Sequence, residues 1–426
     1  MVRRARSEAQ PDTRQWFQHS SAWDADARFR ARRSVTYVMM EEGIDIQGIP
    51  WDRIPRARTE YREHRQAIYN PYRNVEYEQQ VVDAEVTEVE RNGTMMYTPF
   101  EYHADPDVQF KHFQLRHNLH CVDEHQLVYM SANTVSQFCC LDHDITTVMP
   151  IHSGGGPGPA GGPLETNMTS TVEAKSGVTA IGHFDGVMKV KVEFEDGTST
   201  DHTVDAVSSE QNIVNRIAID KWHSGSAVMV AACNDMRVHV IDLATLTLAG
   251  SVEFDVAVNG AKLSPDQSMM AVIGDTTLAT LVDPRSMSKV ENLSGHFDFS
   301  FGLDWSPCSR YIATGNQDLT TRVFDIRQPK SSLYTLRSSS AAVRCLTFAS
   351  TSTLILAEAF DTISVYDIAK SRPTQQVVEV FGEIGGMCTS PENDRLYVGV
   401  SDQHFGGVLE LLRADKIAAM FESLAS

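Results

Sequence analysis

Residues 295–327 read GHFDFSFGLDWSPCSRYIATGNQDLTTRVFDIR, and this stretch decides the fold. A Gly-His pair opens it, and Phe324-Asp325 stands near its end. Between them lie three runs in which apolar and polar residues alternate, as half-buried strands require. Turn residues separate the runs at Ser306-Pro307 and at Asn316-Gln317-Asp318, because Asn and Asp side chains bond their own backbone there. The stretch therefore predicts three consecutive antiparallel strands.

The spacing of these features is that of one WD-repeat unit, which forms a four-stranded propeller blade of roughly 40–45 residues. In such a unit the histidine of the Gly-His pair, a strand Ser/Thr, a turn Asp and a strand-end Trp form a buried hydrogen-bonded set. His296, Thr314, Asp318 and Phe324 hold these positions, followed by the strand-end Asp325. Phe has no N–H to donate, so the set is one member short. We interpret these residues as structural.

The unit recurs along the chain at a blade-sized interval. An acidic residue ends the corresponding strand at intervals of 41, 42, 42 and 43 residues, at Asp242, Asp283, Asp325, Asp367 and Glu410. The mid-blade turn recurs as Ser264-Pro265, Ser306-Pro307 and Ser390-Pro391. Two degenerate units precede these, at 128–142 and at 178–194, the second with Asp185-Gly186 as a hairpin turn. Together these units predict an all-β, seven-bladed WD-repeat β-propeller.

We expect the propeller to occupy residues 75–412, with a flexible Gly/Pro-rich insertion at 153–163 and a C-terminal helix over 413–426. A propeller closes when an N-terminal strand completes the last blade, since closure removes two open edges. The run from Val108 to Leu115 is the candidate for that strand. Two earlier runs, VVDAEVTEVE at 81–90 and TMMYTPFEYH at 94–103, also have strand-like patterns.

Residues 1–74 form an N-terminal extension that is expected to be partly disordered and partly helical. Residues 1–36 are polar and arginine-rich, which favours disorder or a marginal helix, and residues 54–69 have a helical pattern. The segment 44–52, IDIQGIPWD, is too apolar to stay in water alone, and Ile46, Ile49 and Trp51 are its anchors in this interpretation. It either docks on the chain's own propeller or is a linear motif for another protein.

Charge is distributed unevenly along the 426 residues, whose net charge is −19. Residues 1–73 hold 14 arginines against 10 acidic residues, whereas the remainder holds 23 basic and 46 acidic residues. Sequence-independent nucleic-acid binding relies on neutralising phosphates, so the acidic propeller is a poor candidate for it. The acidity suits a basic peptide partner, or it keeps the protein soluble.

The cysteines and the N-terminus bear on the compartment. Seven cysteines without framework spacing predict reduced thiols in a cytosolic or nuclear protein. No run of 18 apolar residues occurs, and the first residues, MVRRARSEAQ, lack an apolar region. Neither secretion nor membrane spanning is therefore expected.

One group of side chains has the chemistry of metal ligands. It comprises His112, His117, His120, Cys121 and His125, joined later by His143. The spacing matches no zinc pattern, and on a strand His112 and His117 would face opposite sides. We therefore predict no metal site and no cofactor.

The chain resembles a plant and fungal family of largely uncharacterised WD-repeat, transducin-like β-propeller proteins. The resemblance covers roughly residues 44–410 and rests on DIQGIPW (45–51), HFQLRHNL (112–119), SGHFDFSF (294–301), ATGNQDLTTRVFDIR (313–327), AEAFDTISVYD (357–367), FGEIGG (381–386) and VGVSDQHFGG (398–407). Phe324 departs from the family, where Trp is usual, and so does the Gly/Pro-rich insertion. The family implies no active site. A more distant resemblance is to a fungal substrate receptor of the GID ubiquitin ligase, which implies a degron-binding propeller funnel.

Propellers bind partners at the turns between the second and third strands, at the connections between blades, and at the central channel. The candidates there are His183, Asn234, Asp235, Asp275, Phe297, Asp298, Gln317, Arg344, Glu358, Phe360, Glu383 and Phe405. Many are acidic or aromatic, which suits a peptide N-terminus or a Lys or Arg side chain. For Asn234, Asp235, Asp275 and Asp318 we favour turn chemistry over partner binding.

Three classes of function remain open at this point. The first is a non-catalytic scaffold for protein or peptide partners, such as an adaptor or substrate receptor of a ubiquitin ligase. The second is RNA association through residues 1–73. The third is a propeller hydrolase, against which stands the lack of a G-x-S-x-G elbow and of a metal-ligand set. We favour the scaffold, because a fold alone does not specify function and no catalytic pattern is present.

Overall fold

The computed structural model describes residues 34–54, 57–69, 72–91, 93–151, 168–204, 212–222 and 225–425, without the side chains of residues 421 and 423–425. Residues 1–33, which hold most of the expected disordered segment, lie outside this range, as does the whole Gly/Pro-rich insertion. Within it, no helix has both the length and the apolar character needed to cross a membrane.

The described strands form seven antiparallel blades, which we number 1 to 7 along the chain, and blades 6 and 7 are joined in one eight-stranded sheet by the long strand that they share. Blade 1 contains β3 (Leu119–Cys121), β4 (Gln126–Met130), β5 (Thr134–Cys139) and β6 (Ile145–Pro150). Blade 2 contains β7 (Thr169–Lys175), β8 (Val178–His183), β9 (Met188–Glu193) and β10 (Ser199–Val204). Blade 3 contains β11 (Val214–Lys221), β12 (Ala227–Cys233), β13 (Arg237–Asp242) and β14 (Thr247–Glu253). Blade 4 contains β15 (Val258–Leu263), β16 (Met270–Gly274), β17 (Ala279–Asp283) and β18 (Ser288–Leu293).

The last three blades complete the circle. Blade 5 contains β19 (Ser300–Trp305), β20 (Tyr311–Asn316), β21 (Thr320–Asp325) and β22 (Ser332–Arg337). Blade 6 contains β23 (Val343–Phe348), β24 (Thr353–Glu358), β25 (Phe360–Asp367) and the first half of β26 (Thr374–Thr389). Blade 7 contains the second half of β26, then β27 (Arg395–Ser401), β28 (Gly407–Arg413), β2 (Tyr97–His103) and β1 (Ser34–Thr36). The helices are α1 (Tyr37–Glu41), α2 (Arg58–Ile68), α3 (Gln79–Ala84) and α4 (Ala414–Ala425).

The first strands of successive blades contact one another in a closed ring around the central channel. The ring passes through β3, β7, β11, β15, β19, β23 and β26 and returns to β3. Apolar side chains fill the space between neighbouring blades, as in the cluster of Leu303, Trp305 and Phe324 with residues of blade 4. The predicted all-β, seven-bladed propeller is confirmed.

The repeated acids have a local structural reason. Asp242, Asp283, Asp325 and Asp367 each end the third strand of a blade, and their carboxylates accept the backbone N–H two residues later. This bond closes the turn into the fourth strand. Glu410 was assigned to the same series, and that assignment is wrong. It lies inside β28, three residues before its end, and pairs with side chains of the closing blade.

The closing strand is β2, and the prediction that Val108–Leu115 closes the ring is wrong. Tyr97 is paired with Arg413, and His103 with Val408, along the edge of β28. Residues 108–115, which are all described, contain no strand. Their apolar pattern has another cause, because Val108 is buried against Gly399, where an added Cβ would lie 2.8 Å from it. The run fills the channel instead of pairing.

The N-terminal extension lies on the propeller. β1 pairs with β2 and adds a fifth strand to blade 7. The helix predicted over 54–69 is present as α2, whereas the strand-like run at 81–90 begins inside the short helix α3. Beyond α3 the chain descends along blades 5 and 6, where the backbone N–H of Thr87 donates to Thr335 and that of Glu90 to Pro373. The chain then reverses direction and enters β2.

Candidate protein-interaction face

The candidate residues lie at one end of the propeller, which we call the upper face. It is formed by the turns between second and third strands and by the connections from each blade to the next. The β12–β13 turn carries Asn234 and Asp235, the β16–β17 turn carries Asp275, and the connection into blade 5 carries Phe297 and Asp298. The structure divides this face into a covered part and an open part.

The segment 44–52 docks on the upper end of blade 7 in cis. Gln47 is buried, and its side-chain amide donates to the carbonyl oxygens of Phe381 at 3.0 Å and Phe405 at 3.2 Å. The backbone N–H of Phe381 donates back to the Gln47 side-chain oxygen. The Phe381 ring lies edge-on to Trp51, with centroids 5.1 Å apart. This polar anchor was missed from the sequence, where only the apolar residues of the segment were considered.

The predicted apolar anchors also contact the propeller or its docking segment. Ile49 is 3% exposed, and Ile46 packs against the core of blade 7. Trp51 donates its indole N–H to Asp45 at 2.9 Å, which fixes the fold of the segment itself. Of the two alternatives for this segment, the structure shows docking on the chain's own propeller.

Helix α2 lies across blade 6 through its arginines. Arg62 forms an ion pair with Glu379, and Arg65 forms one with Asp361. Burial raises the pKa of Asp361, and the charge of Arg65 acts in the opposite direction. The Arg65 guanidinium also lies 4.4 Å from the centre of the Phe381 ring. These two arginines, which lie in the segment 1–73 considered for RNA association, make intramolecular contacts.

The chain after α2 covers the aromatic candidate on blade 6. The Phe360 ring is 3% exposed and meets the Tyr69 ring edge-on at 5.1 Å. The Tyr69 hydroxyl accepts the backbone N–H of Ala342 at 3.2 Å. Phe360 is therefore covered by the extension and is not an open contact for another protein.

The two candidates on blade 5 are covered in the same way. Asn74 donates its backbone N–H to Asp298 at 3.0 Å and its side-chain N–H to the same carboxylate at 2.9 Å. The Phe297 ring lies 5.9 Å from that of Tyr77. Asp298 is fully buried by these contacts. We call the described residues of 44–91 the strap, because they lie over the upper face of blades 7, 6 and 5 and then along the side of the propeller.

The remaining acids of the covered part are used internally. Glu358 accepts the backbone N–H groups of Ser339, Ser340 and Ala341 at 2.6–2.7 Å. Burial raises its pKa to about 7. Glu383 accepts a hydrogen bond from Arg116 at 3.1 Å. These carboxylates are therefore already partnered, and a basic peptide would have to compete for them.

Gln317, Arg344 and Phe405 complete the covered candidates. Gln317 is buried, and its side-chain amide makes no hydrogen bond within the described residues. The Arg344 guanidinium lies 4.7 Å from the centre of the Phe301 ring, and burial lowers its pKa. Phe405 contributes its carbonyl oxygen, which accepts from the Tyr102 hydroxyl as well as from Gln47.

The connection from blade 7 to blade 1, residues 104–118, fills the channel. Arg116 is buried and donates to the carbonyl oxygen of Ile384, while its guanidinium lies 3.3 Å from the centre of the Phe110 ring. His117 lies deeper, with Nε2 3.3 Å from a guanidinium nitrogen of Arg216. Side chains of this connection therefore occupy part of the channel.

Among the described residues, the strap makes no hydrogen bond or ion pair with the upper ends of blades 3 and 4, and we call this the open part of the upper face. Asn234 accepts from Asn215 at 2.7 Å, and Asn259 donates to Asp275 at 2.9 Å. Burial raises the pKa of Asp275. Asp235 lies 2.7 Å from His239. These bonds stay within one blade, which agrees with the turn chemistry considered for these residues.

His183, on blade 2, is buried at the end of β8. The four acids whose convergence would indicate a hydrolase are Asp235, Asp275, Asp298 and Glu358. They lie on blades 3, 4, 5 and 6, and among the described residues no group of adjacent ligand atoms contains two of them. The structure therefore does not bring these carboxylates together as one site.

The histidines that crowd the sequence separate in space. His112 lies at the mouth of the channel, where burial and the charges of Arg344 and Arg116 lower its pKa to about 4. His117 and His120 meet Glu173 inside the channel. His143 lies elsewhere, beside His103 of the closing strand, with ring centroids 5.3 Å apart.

Comparison with known proteins supports the fold. The family description "WD domain, G-beta repeat" matches residues 287–325, which overlap the stretch 295–327 that decides the fold. The chain is similar to one in a structure titled "Crystal Structure of Mitotic Checkpoint Complex", with a TM-score of 0.61 and 15% identity over 75% of this chain and 93% of that one. At this identity the likeness shows the fold alone. A search of curated proteins found no match. WD-repeat propellers are generally non-catalytic scaffolds for protein interactions.

Proposed function

We propose that this chain is a non-catalytic scaffold that binds a protein partner on the upper face of blades 3 and 4. The observation that carries the proposal is the division of the upper face. The strap contacts blades 5, 6 and 7 through Asn74, Arg65 and Gln47, whereas the described hydrogen bonds of Asp235 and Asp275 remain within their own blades.

The chemistry of this open face favours a basic partner segment with an apolar side chain. Asp235, Asp255 and Asp275 lie on it, with Asp255 exposed, and Met236 is 46% exposed at the tip of the β12–β13 turn. Opposite charges accelerate encounter and fix orientation, while a central apolar contact contributes affinity. The acidic net charge of the chain also favours a basic partner.

A substrate receptor or adaptor of a ubiquitin ligase, acting in the cytosol or nucleus, is the finer form of this proposal. It rests on the sequence resemblance, and the identity of the captured partners decides it. Ligase subunits among those partners would support the finer form. A discrete partner set without them would support the scaffold alone.

The test is proximity labelling in the native cell, comparing the unchanged chain with a variant whose open face has an altered charge. In the test variant, Met236→Lys is combined with Asp255→Lys. The matched control combines Val290→Lys with Glu291→Lys, which change the net charge by the same amount on the exposed outer strand of blade 4. We expect the partner set to be lost from the first variant and kept by the second. An unchanged partner set in the first variant would place the interface elsewhere.

A further inference from the structure

We propose that a divalent transition metal of the zinc class binds at the seam between blades 7 and 1, held by Glu101, His103 and His143. This site is separate from the open face and does not depend on the proposed function. It joins the strand that closes the propeller to the first blade of the ring.

The three ligands come from two elements that meet at this seam. Glu101 and His103 are two residues apart on β2, so their side chains leave the same face of the strand. His143 lies in the turn between β5 and β6 of blade 1, with φ of 60°. One ligand atom from each of the three lies within 4.8 Å of the others.

His103 is prepared as a metal ligand by its other ring nitrogen. Its Nε2 lies 2.9 Å from Glu410, whose second oxygen forms an ion pair with Arg395. The ring tautomer with its proton on Nε2 donates to this carboxylate. Nδ1 is left with a lone pair, and in the described part of the chain it has no hydrogen-bond partner although the side chain is fully buried. A histidine that donates to a carboxylate and turns its other nitrogen inward is the usual state of a zinc ligand.

His143 has a similar environment. Its Nε2 lies 3.9 Å from Glu101, and its Nδ1 lies 3.9 Å from Asp105 on the opposite side of the ring. Asp105 is thus a carboxylate near the second nitrogen of His143, at a distance longer than the hydrogen bond between His103 and Glu410. The buried His103 nitrogen without a hydrogen-bond partner, the His143 ring and the Glu101 carboxylate make a ligand set of two nitrogens and one oxygen, which suits Zn²⁺.

Solvent reaches the site, and its ligands can move closer together. The side chains of Glu101 and His143 are 19% and 21% exposed, so an ion can enter from solvent. Zinc bonds of about 2.0–2.2 Å place tetrahedral ligands about 3.4 Å apart, so the ligands must approach by a fraction of an ångström to about 1.5 Å. His143 is on a turn and can make this movement. Three protein ligands leave the fourth position to water.

Three other groups of ligand-type residues in the described part of the chain are weaker candidates. One of them, His103 with Cys140 and Glu410, shares His103 with the proposed site, but His103 already contacts Glu410 at 2.9 Å and burial raises the pKa of the Cys140 thiol. In the channel group, His117 and His120 lie beside Glu173, but the Arg216 cation is 3.3 Å from the His117 ring nitrogen. A fixed cation at that distance repels a metal ion. In the blade 3 group, Cys233 lies beside Asp235 and His239, which already bond each other at 2.7 Å.

The test is a Zn²⁺ titration of the full chain, freed of metal by a chelator, in competition with a chromophoric zinc chelator. We expect one tight equivalent that is lost in His143→Ala and in Glu101→Gln. Asp105→Asn removes only the outer carboxylate, so it should weaken binding by about 10–100-fold. His202→Ala changes a histidine on the exposed edge strand β10, and His117→Ala changes the channel group, so both should keep the equivalent.

A second readout uses Co²⁺ in place of Zn²⁺, because four-coordinate Co²⁺ absorbs strongly in the visible. His143→Ala changes an accessible turn, and thermal unfolding without metal should match that of the unchanged chain. Absence of a saturable equivalent overturns the proposal. So does an equivalent that survives in both His143→Ala and Glu101→Gln, or one that is lost in His117→Ala.

Discussion

At the scale of single residues, the buried charges of the channel are the most informative. His112 sits between Arg344 and Arg116, and burial together with these two charges lowers its pKa to about 4. In the unfolded chain its pKa returns to about 6.5. Between pH 4 and pH 6.5, the unfolded state binds a proton on His112 that the folded state does not bind. This contribution therefore favours folding above pH 6.5 and is lost as the pH falls toward 4.

The first prediction follows from this loss of folding stability at acidic pH. Replacing His112 by Gln, which cannot be charged, should make the stability of the chain less sensitive to acid between pH 6.5 and 4. The difference at pH 5 is expected to be about 1–2 kcal/mol in the free energy of unfolding, because one pKa unit corresponds to about 1.4 kcal/mol. Denaturant titrations at pH 7 and pH 5 measure it. Equal pH dependence in both proteins would contradict the argument.

At the scale of elements, the strap determines which surface is available. Its contacts are individually modest, since exposed ion pairs contribute about 0–1 kcal/mol each. They are spread over three blades, and Arg65 and Asp361 are nearly buried, with 12% and 3% of their side chains exposed. Removing one partner of such a pair leaves the other charge without compensation. Helix α2 is thus the element on which the cover of blade 6 depends.

We therefore expect Arg65→Glu to release α2 from blade 6, because it places a second negative charge beside Asp361. The control is Arg53→Glu, the same change at an arginine whose side chain is 69% exposed. Limited proteolysis of the strap should become at least several-fold faster in the first variant and stay unchanged in the second. Equal rates in all three proteins would mean that α2 is held by other contacts.

The element scale also shows how far the sequence predicts the structure. The Asp242 series and the Ser-Pro turns identify the blades because each acid or serine bonds the turn beside it. The same local rule fails for Glu410 and for Val108–Leu115. The acid at Glu410 pairs with His103 and Arg395, and the apolar side chain of Val108 packs in the channel. Those partners are remote in sequence, and no local pattern specifies them.

The candidate site was predictable to a smaller extent. Turn positions correctly indicated the upper face, but they did not indicate which part of it the chain covers. Gln47 reaches Phe381 across 334 positions, and Asn74 reaches Asp298 across 224. The sequence places His143 in one group with His117, and this grouping is wrong. In the structure His143 lies beside His103 on the closing strand.

At the scale of the whole molecule, ring closure depends on β2. A chain that begins at residue 93 retains β2, whereas one that begins at residue 104 retains Val108–Leu115 but leaves the edge of β28 unpaired. We expect the first to be soluble and to unfold cooperatively, and the second to aggregate, because an open apolar edge recruits other strands. Size-exclusion chromatography and thermal unfolding of the two chains measure this. A soluble, cooperative chain from residue 104 would show that β2 is dispensable.

Hydrogen exchange read by mass spectrometry, on the free chain and on its complex with a captured partner, tests the division of the upper face most directly. Peptides covering 338–342, 359–361 and 381–384 should be protected already in the free chain and should not change on binding. Peptides covering 234–237, 254–257 and 275–277 should gain protection only in the complex. Partner-induced protection confined to the first set would contradict the account, because it would place the partner where the structure places the strap.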